Sequence, residues 1–176
     1  RVATSLNFPA NLPPSVLSRA DALVSKAVAA LGIVNGPSHT EVIVDRAGEP
    51  WLVELGARGG GGHVFHTIVW AHTGLNYVLQ SARILCGDRP DLRKTRNSGV
   101  VYRFFNPPKG LIRRVVFPED IPHRPYVLDF GITARVGERF EGLKDSLHRV
   151  GFVVTRGRDR AEAIRRADGI ENGVRF

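Results

Sequence analysis

Two glutamates, an arginine and four consecutive glycines crowd one short stretch of the chain. They are Glu41, Glu54, Arg58 and Gly59–Gly62 in "HTEVIVDRAGEPWLVELGARGGGG". Carboxylates are the hard oxygen donors that Mg²⁺ takes from protein, one or two at a time, alongside substrate phosphates. A guanidinium is permanently charged and forks onto phosphate or carboxylate oxygens. Glycines let backbone approach a ligand, and each loses more conformational freedom on folding than any other residue, so a run of four needs a reason. The chemistry these types could do together is the positioning and neutralisation of phosphoryl groups.

Position decides whether they meet. The apolar runs "HTEVIVD" and "PWLVELGA" flank "RAGE", which predicts a β-hairpin. With Arg46 to Glu49 as its loop, Asp45 faces Pro50, Ile43 faces Leu52 and Glu41 faces Glu54. Opposed Cβ atoms lie about 5 Å apart, and two carboxylates at that distance repel by roughly 3 kcal/mol at an effective dielectric of 20. A divalent cation removes that repulsion; so does a glutamate that turns to solvent, pairs with an arginine or stays protonated. Arg58, Gly59–Gly62 and the start of a helix near His63 are expected to form an anion cradle beside the pair. A plain surface loop is the alternative.

The rest of the chain supplies the frame. "RVATSLNF" reads as a strand. The segment after "NLPP" puts Val16, Ala20, Leu23, Ala27, Val28 and Leu31 on one helical face, closed by Gly32. "HVFHTIVWAHTG" and "NYVLQSARILCG" read as two helices. From Asn97 onward "GVVYRFF", "GLIRRVVF", "PYVLDFGITARVG" and "RVGFVVTRG" read as strands, then "DRAEAIRRADG" as a helix and "GVRF" as a terminal strand. This order predicts an α+β fold built on an antiparallel sheet. Residues 1–92 are expected to form a lobe bearing the carboxylate site and 93–176 a β-rich subdomain, divided near the polar "GDRPDLRKTRN". His63 and His66 have helical spacing but no third ligand of suitable spacing, so a place at the helix start is expected. His39 shares a strand face with Glu41. Trp51 and Trp70 are expected in the core, as is the single cysteine, Cys86.

Composition sets the outer limits. The chain has 176 residues, 43% hydrophobic and 24% charged, with no methionine. That composition suits a globular domain; no apolar run reaches membrane-spanning length, so no membrane partner is expected. One cysteine excludes a disulfide framework and points to a reducing cytoplasm. The missing initiator residue predicts a piece of a longer chain. The net charge of +8 invites a nucleic-acid reading. Yet the basic residues are scattered and no aromatic-studded basic motif accompanies them, which argues against specific nucleic-acid binding.

"GPSHTEVIVDRAGEPWLVELGARGGGG" resembles the carboxyl-terminal metal and phosphate segment of the ATP-grasp superfamily, and "GERFEGLKDSLHRVGFVVTRGRDRAEAIRRADG" is similar to the closing strand and helix of its L-amino-acid ligases. The superfamily includes biotin carboxylase and the carbamoyl-phosphate synthetase large chain. The resemblance implies that Glu41 and Glu54 hold Mg²⁺ or Mn²⁺ between ATP phosphates, and that Arg58 steadies an acyl-phosphate. It further implies that the backbone of Gly59, Gly60, Gly61 and Gly62 borders the transferred phosphate or the substrate. ATP, small carboxylates and amines are then the expected ligands, with a homodimer or pairing with an upstream enzyme part as the expected assembly. Gly56 departs from the pattern, since many members carry an asparagine there as a further metal ligand. No lysine of the upstream nucleotide clamp is present either, and the piece alone is expected to be inactive. A non-catalytic ATP-grasp-like module that binds a protein or nucleic acid is the alternative.

Overall fold

The structure, a computed structural model, describes residues 2–176 and has the expected α+β class, with antiparallel strands and four α-helices. It divides into two compact units. The first combines the segment ending at Pro9 with Ala71–Thr73 and Arg96–Phe176; the second comprises Ala10–Trp70 and Gly74–Thr95.

The first unit is organised by a four-stranded antiparallel sheet. Its strands are β1 (Ser5–Phe8), β4 (Gly99–Phe104), β6 (Val127–Ile132) and β8 (Gly151–Gly157), in the order β1-β4-β8-β6. β8 is central and its alternate residues serve both faces. Val153, fully buried, joins Phe105, Ile112, Ile121, Phe140 and Ile170 in the main apolar cluster. On α4 (Arg160–Glu171), Ala163 and Ala167 pack with Val101 of β4. Small residues make that close approach feasible. A Cβ added at Gly99 would lie 2.0 Å from the Asp159 carbonyl oxygen, and one at Gly157 would lie 2.5 Å from the Ala163 nitrogen.

Polar chemistry fixes α4 at both ends. Asp159 caps it by accepting from the Glu162 N–H at 2.8 Å, and Glu162 accepts from the Arg158 N–H. This reciprocal arrangement satisfies backbone donors that a helix start leaves open. Arg103 of β4 pairs with Asp168 and Glu171 in the last turns. A two-residue ribbon, β5 (Gly110–Leu111) with β7 (Arg139–Phe140), completes the unit. The expected terminal strand reduces to one bridge, Val116 with Arg175.

The second unit holds α1 (Pro14–Ala30), the hairpin β2 (His39–Val44) and β3 (Pro50–Gly56), and α3 (Tyr77–Leu85). α1 packs against β3, but of its predicted apolar face only Val16 is buried. The first predicted helix after the glycines is a five-residue π-helix, Val64–Ile68, that runs into the short α2 (Val69–Thr73). The widened turn is marked by the Ile68 N–H bonding to the His63 carbonyl at 2.8 Å. Three core expectations fail here. Cys86 is exposed just past the end of α3. Trp70 is 40% exposed and Trp51 60% exposed. An indole carries a polar N–H as well as apolar area; that of Trp51 donates to Asp45 Oδ2 at 3.0 Å.

Candidate active site

The hairpin brings the two glutamates together. Glu41 and Glu54 are Cα partners across β2 and β3. The expected register fails beyond that pair: Ile43 faces Trp51 and Val44 faces Pro50, because a bulge between Glu41 and Val42 leaves Val53 as an extra residue on β3. Asp45 leaves the ladder and shapes the turn. Its Oδ1 accepts from the N–H groups of Ala47 and Glu49, both at 2.9 Å. The Trp51 indole and the Glu49 N–H hold the Asp45 carboxyl below the usual carboxylate range. Local side-chain bonding of this kind competes with the ladder, so a five-residue turn replaces the expected four-residue loop and the bulge absorbs the difference.

The carboxylates are more than half exposed, at 58% for Glu41 and 57% for Glu54. Water therefore screens them, and the repulsion falls below the roughly 3 kcal/mol expected at a dielectric of 20. Each also has a basic neighbour. His39 Nε2 lies 3.9 Å from Glu41 Oε1, and Arg58 Nη2 lies 3.2 Å from Glu54 Oε1.

Arg58 follows a tight turn in which its N–H donates to the Gly56 carbonyl at 2.8 Å. Its guanidinium bonds to Glu54 and, through Nη1, to the Gly59 carbonyl at 3.0 Å. Glu54, Arg58 and the start of the glycine run thus form one connected group.

The four glycines differ in what requires them, and at Gly61 nothing nearby does. A Cβ on Gly59 would meet the Phe65 ring at 2.5 Å. One on Gly60 would lie 2.9 Å from His39 Nδ1 and 3.0 Å from Val64. Gly61 has open space around it, and Gly62 adopts φ 60°, the left-handed region. Sequence reading missed the contacts of Phe65 and His39 with this run. The signal was available for His39, which shares the strand face of Glu41 and stands opposite Gly56. His63 and His66 lie with ring centroids 5.5 Å apart at the start of the π-helix.

As a cation site the donor set is small. Among the described residues, no group of three or more His, Cys, Asp or Glu is arranged to hold a metal ion. A tetrahedral zinc centre does not fit. Two exposed, paired carboxylates do fit a hard cation that takes its remaining oxygens from phosphate and water. Among the described residues, no helix is long and apolar enough to cross a membrane.

Comparison with known proteins bears on the fold. Residues 103–176 match the family model for L-amino acid ligase C-terminal domain 2. No curated protein matches. Among solved structures, L-amino acid ligase from Bacillus licheniformis superposes with a TM-score of 0.80 at 24% identity, over 98% of this chain and 43% of that one. Phosphoribosylglycinamide synthetase from Anaerococcus prevotii gives 0.80 at 16% identity, over 99% and 45%. The biotin carboxylase domain dimer of Hydrogenobacter thermophilus 2-oxoglutarate carboxylase, in complex with MgADP, ADP and bicarbonate, gives 0.63 at 18% identity, over 98% and 38%. The chain spans less than half the length of each of these relatives. Over nearly its whole length the chain has the fold of these structures, the ATP-grasp C-terminal fold, and residues 103–176 carry the family match.

Proposed function

We propose that the chain supplies the metal and acyl-phosphate side of a cytoplasmic ATP-dependent carboxylate–amine ligase that joins amino acids. The observation that carries this is the pairing of Glu41 with Glu54, with the Arg58 guanidinium bonded to the second carboxylate. In the reaction, a substrate carboxylate oxygen attacks the γ-phosphorus of ATP and ADP departs. The resulting acyl-phosphate is attacked by an amine; inorganic phosphate leaves as the amide bond forms and the amine loses a proton.

Glu41 and Glu54 would hold Mg²⁺ or Mn²⁺, which supplies charge neutralisation at the phosphates. Arg58 can exchange its bonds to Glu54 and the Gly59 carbonyl for bonds to phosphoryl oxygens, and both present bonds are solvent-exposed. The space at Gly61 leaves backbone accessible beside it. His39, against both Glu41 and Gly60, orients the first carboxylate relative to the loop.

The test is carboxylate-dependent phosphate release by the full-length enzyme. Arg58→Ala is expected to lower turnover by on the order of 100- to 1,000-fold. Arg58→Lys should do nearly the same, because a point charge does not reproduce a forked contact. Glu41→Gln and Glu54→Gln should abolish turnover with the fold intact. Normal activity in either glutamine variant overturns the metal assignment. ATP turnover that ignores added carboxylate and amine assigns the chain to a binding module instead.

A further inference from the structure

Far along the sequence from the carboxylate hairpin, the first unit contains a cavity of about 550 Å³. Backbone hydrogen bonds fix its walls. The turn from Arg135 to Glu138 is closed by the Glu138 N–H donating to the Arg135 carbonyl, and Gly137, at φ 92°, permits the reversal. The Gly137 N–H donates to the Ile112 carbonyl, and the Ile112 N–H to the Glu138 carbonyl, both at 2.8 Å. Next to this turn, β7 pairs with β5. Elsewhere on the wall, the N–H groups of Thr133 and Ala134 both donate to the Val150 carbonyl.

This frame carries an excess of cations. Arg135, Arg139, Lys144 and Arg149 line the cavity with only two carboxylates, Glu138 and Glu141. Both carboxylates are engaged: Glu141 pairs with Lys144 at 3.0 Å, and Glu138 accepts from the Arg135 N–H at 3.1 Å. Among the described residues, the guanidiniums of Arg135, Arg139 and Arg149 have no ion-pair partner. Arg149 is also held in place. Its guanidinium carbon sits 3.5 Å from the centroid of the Phe104 ring, Nη2 donates to the Ala3 carbonyl at 3.4 Å, and Nε is buried without a hydrogen-bond partner.

Arg135 and Arg139 are exposed and Arg149 is half-buried, and an exposed arginine on its own contributes little. Three that line one cavity on backbone-fixed elements concentrate donors suited to oxyanions. The volume lies within the range of small-molecule sites.

We propose that this cavity binds a small dianion, a molecule bearing two carboxylate or phosphate groups, through Arg135, Arg139 and Arg149. Four cationic side chains against two carboxylates leave a net charge of about +2, which one monovalent group does not neutralise, hence the second anionic group. The site uses none of Glu41, Glu54 or Arg58, so it stands or falls independently of the ligase reading.

Titration calorimetry of the full-length protein tests it, with succinate and inorganic pyrophosphate as separate probes at matched ionic strength. Saturable one-to-one binding of at least one probe is expected, and the stronger probe identifies the anion type. Arg139→Ala and Arg135→Ala should each weaken that binding about tenfold or more. Arg149→Lys should weaken it with the charge retained. Arg165→Ala, at an exposed position on α4 outside the cavity, should leave it unchanged. If Arg149→Lys loses the folded circular dichroism spectrum, the Arg135→Ala and Arg139→Ala variants decide the outcome. No saturable binding of either probe, or equal weakening by Arg165→Ala and Arg139→Ala, overturns the site.

Discussion

Val153 and Trp51 are both apolar residues inside strands, yet Val153 is fully buried and Trp51 is 60% exposed. The contrast extends to their units. Around Val153, Phe105, Ile121 and Ile170 are buried in the same apolar cluster. Each such side chain contributes roughly 1.5–3 kcal/mol on removal from water. Around Trp51, the hairpin also leaves Ile43, Leu52 and Val53 exposed. That hairpin relies on its ladder, the Asp45 turn and the α1 contact through Val16. An isolated hairpin is marginal in water, and functional segments are commonly drawn from the less stable part of a structure. One unit is therefore held by burial, while the unit with the paired carboxylates is held largely by local polar geometry.

The largest effect expected from this difference is at Phe105. Phe105→Ala should destabilise the chain by about 3–5 kcal/mol. Trp51→Ala, which loses one exposed hydrogen bond, should cost about 1 kcal/mol or less. Urea unfolding followed by circular dichroism measures both. Equal losses would break the contrast.

A glycine scan sharpens it inside the second unit. Gly59→Ala should cost about 1–3 kcal/mol, since the Phe65 ring must move. Combining it with Phe65→Ala should recover part of that loss. Gly62→Ala should cost about 1–2 kcal/mol through its left-handed φ. Gly61→Ala should be neutral or stabilise by up to about 1 kcal/mol, because no neighbour opposes a methyl group and the unfolded chain loses freedom. The same urea midpoints decide; a flat profile across the run would mean that the glycines are not locally required.

The smallest effect is acid sensitivity. The Arg93 side chain and N–H hold the Asp91 carboxyl down to about 2. Because the folded value lies below the unfolded one, Asp91 stabilises the fold above pH of about 3.9, and that contribution fades as pH falls toward 2. Carbon-detected NMR should show a midpoint near 2 that returns toward the ordinary value in Arg93→Ala. An unchanged midpoint in that variant would remove Arg93 as the cause.

Much of this was legible in the chain because periodicity and turn chemistry are local. The opposed pair Glu41–Glu54, the α1 and α4 segments and the β4 and β8 runs follow from patterns a few residues wide. The bulge at Val53 was not legible, since Val53 continues the apolar run without a break and only the Asp45 turn displaces the register. Nor did the glycine run disclose that Phe65 and His39 take the space of side chains at Gly59 and Gly60. Scattered basic residues gave no sign of the cavity, because Arg135, Arg139 and Arg149 converge only once β5, β7 and β8 are in place. Cys86 and the two tryptophans failed as core residues for a related reason: apolar character marks what can be buried, and the remainder of the fold decides what is.

The sheet order β1-β4-β8-β6 also sets a schedule for synthesis. Ser5–Phe8 pairs with Val100–Arg103, so β1 leaves the ribosome about a hundred residues before its partner, an interval of roughly 5–20 s at ordinary elongation rates. During that time its ladder groups are unpaired, and only its four-residue length limits what could add to it. Even β4 does not complete the sheet, because β8 lies between β4 and β6 and is made later still. A nascent chain stalled before Gly151 would therefore hold the carboxylate hairpin fully translated while the sheet of the other unit lacked its central strand.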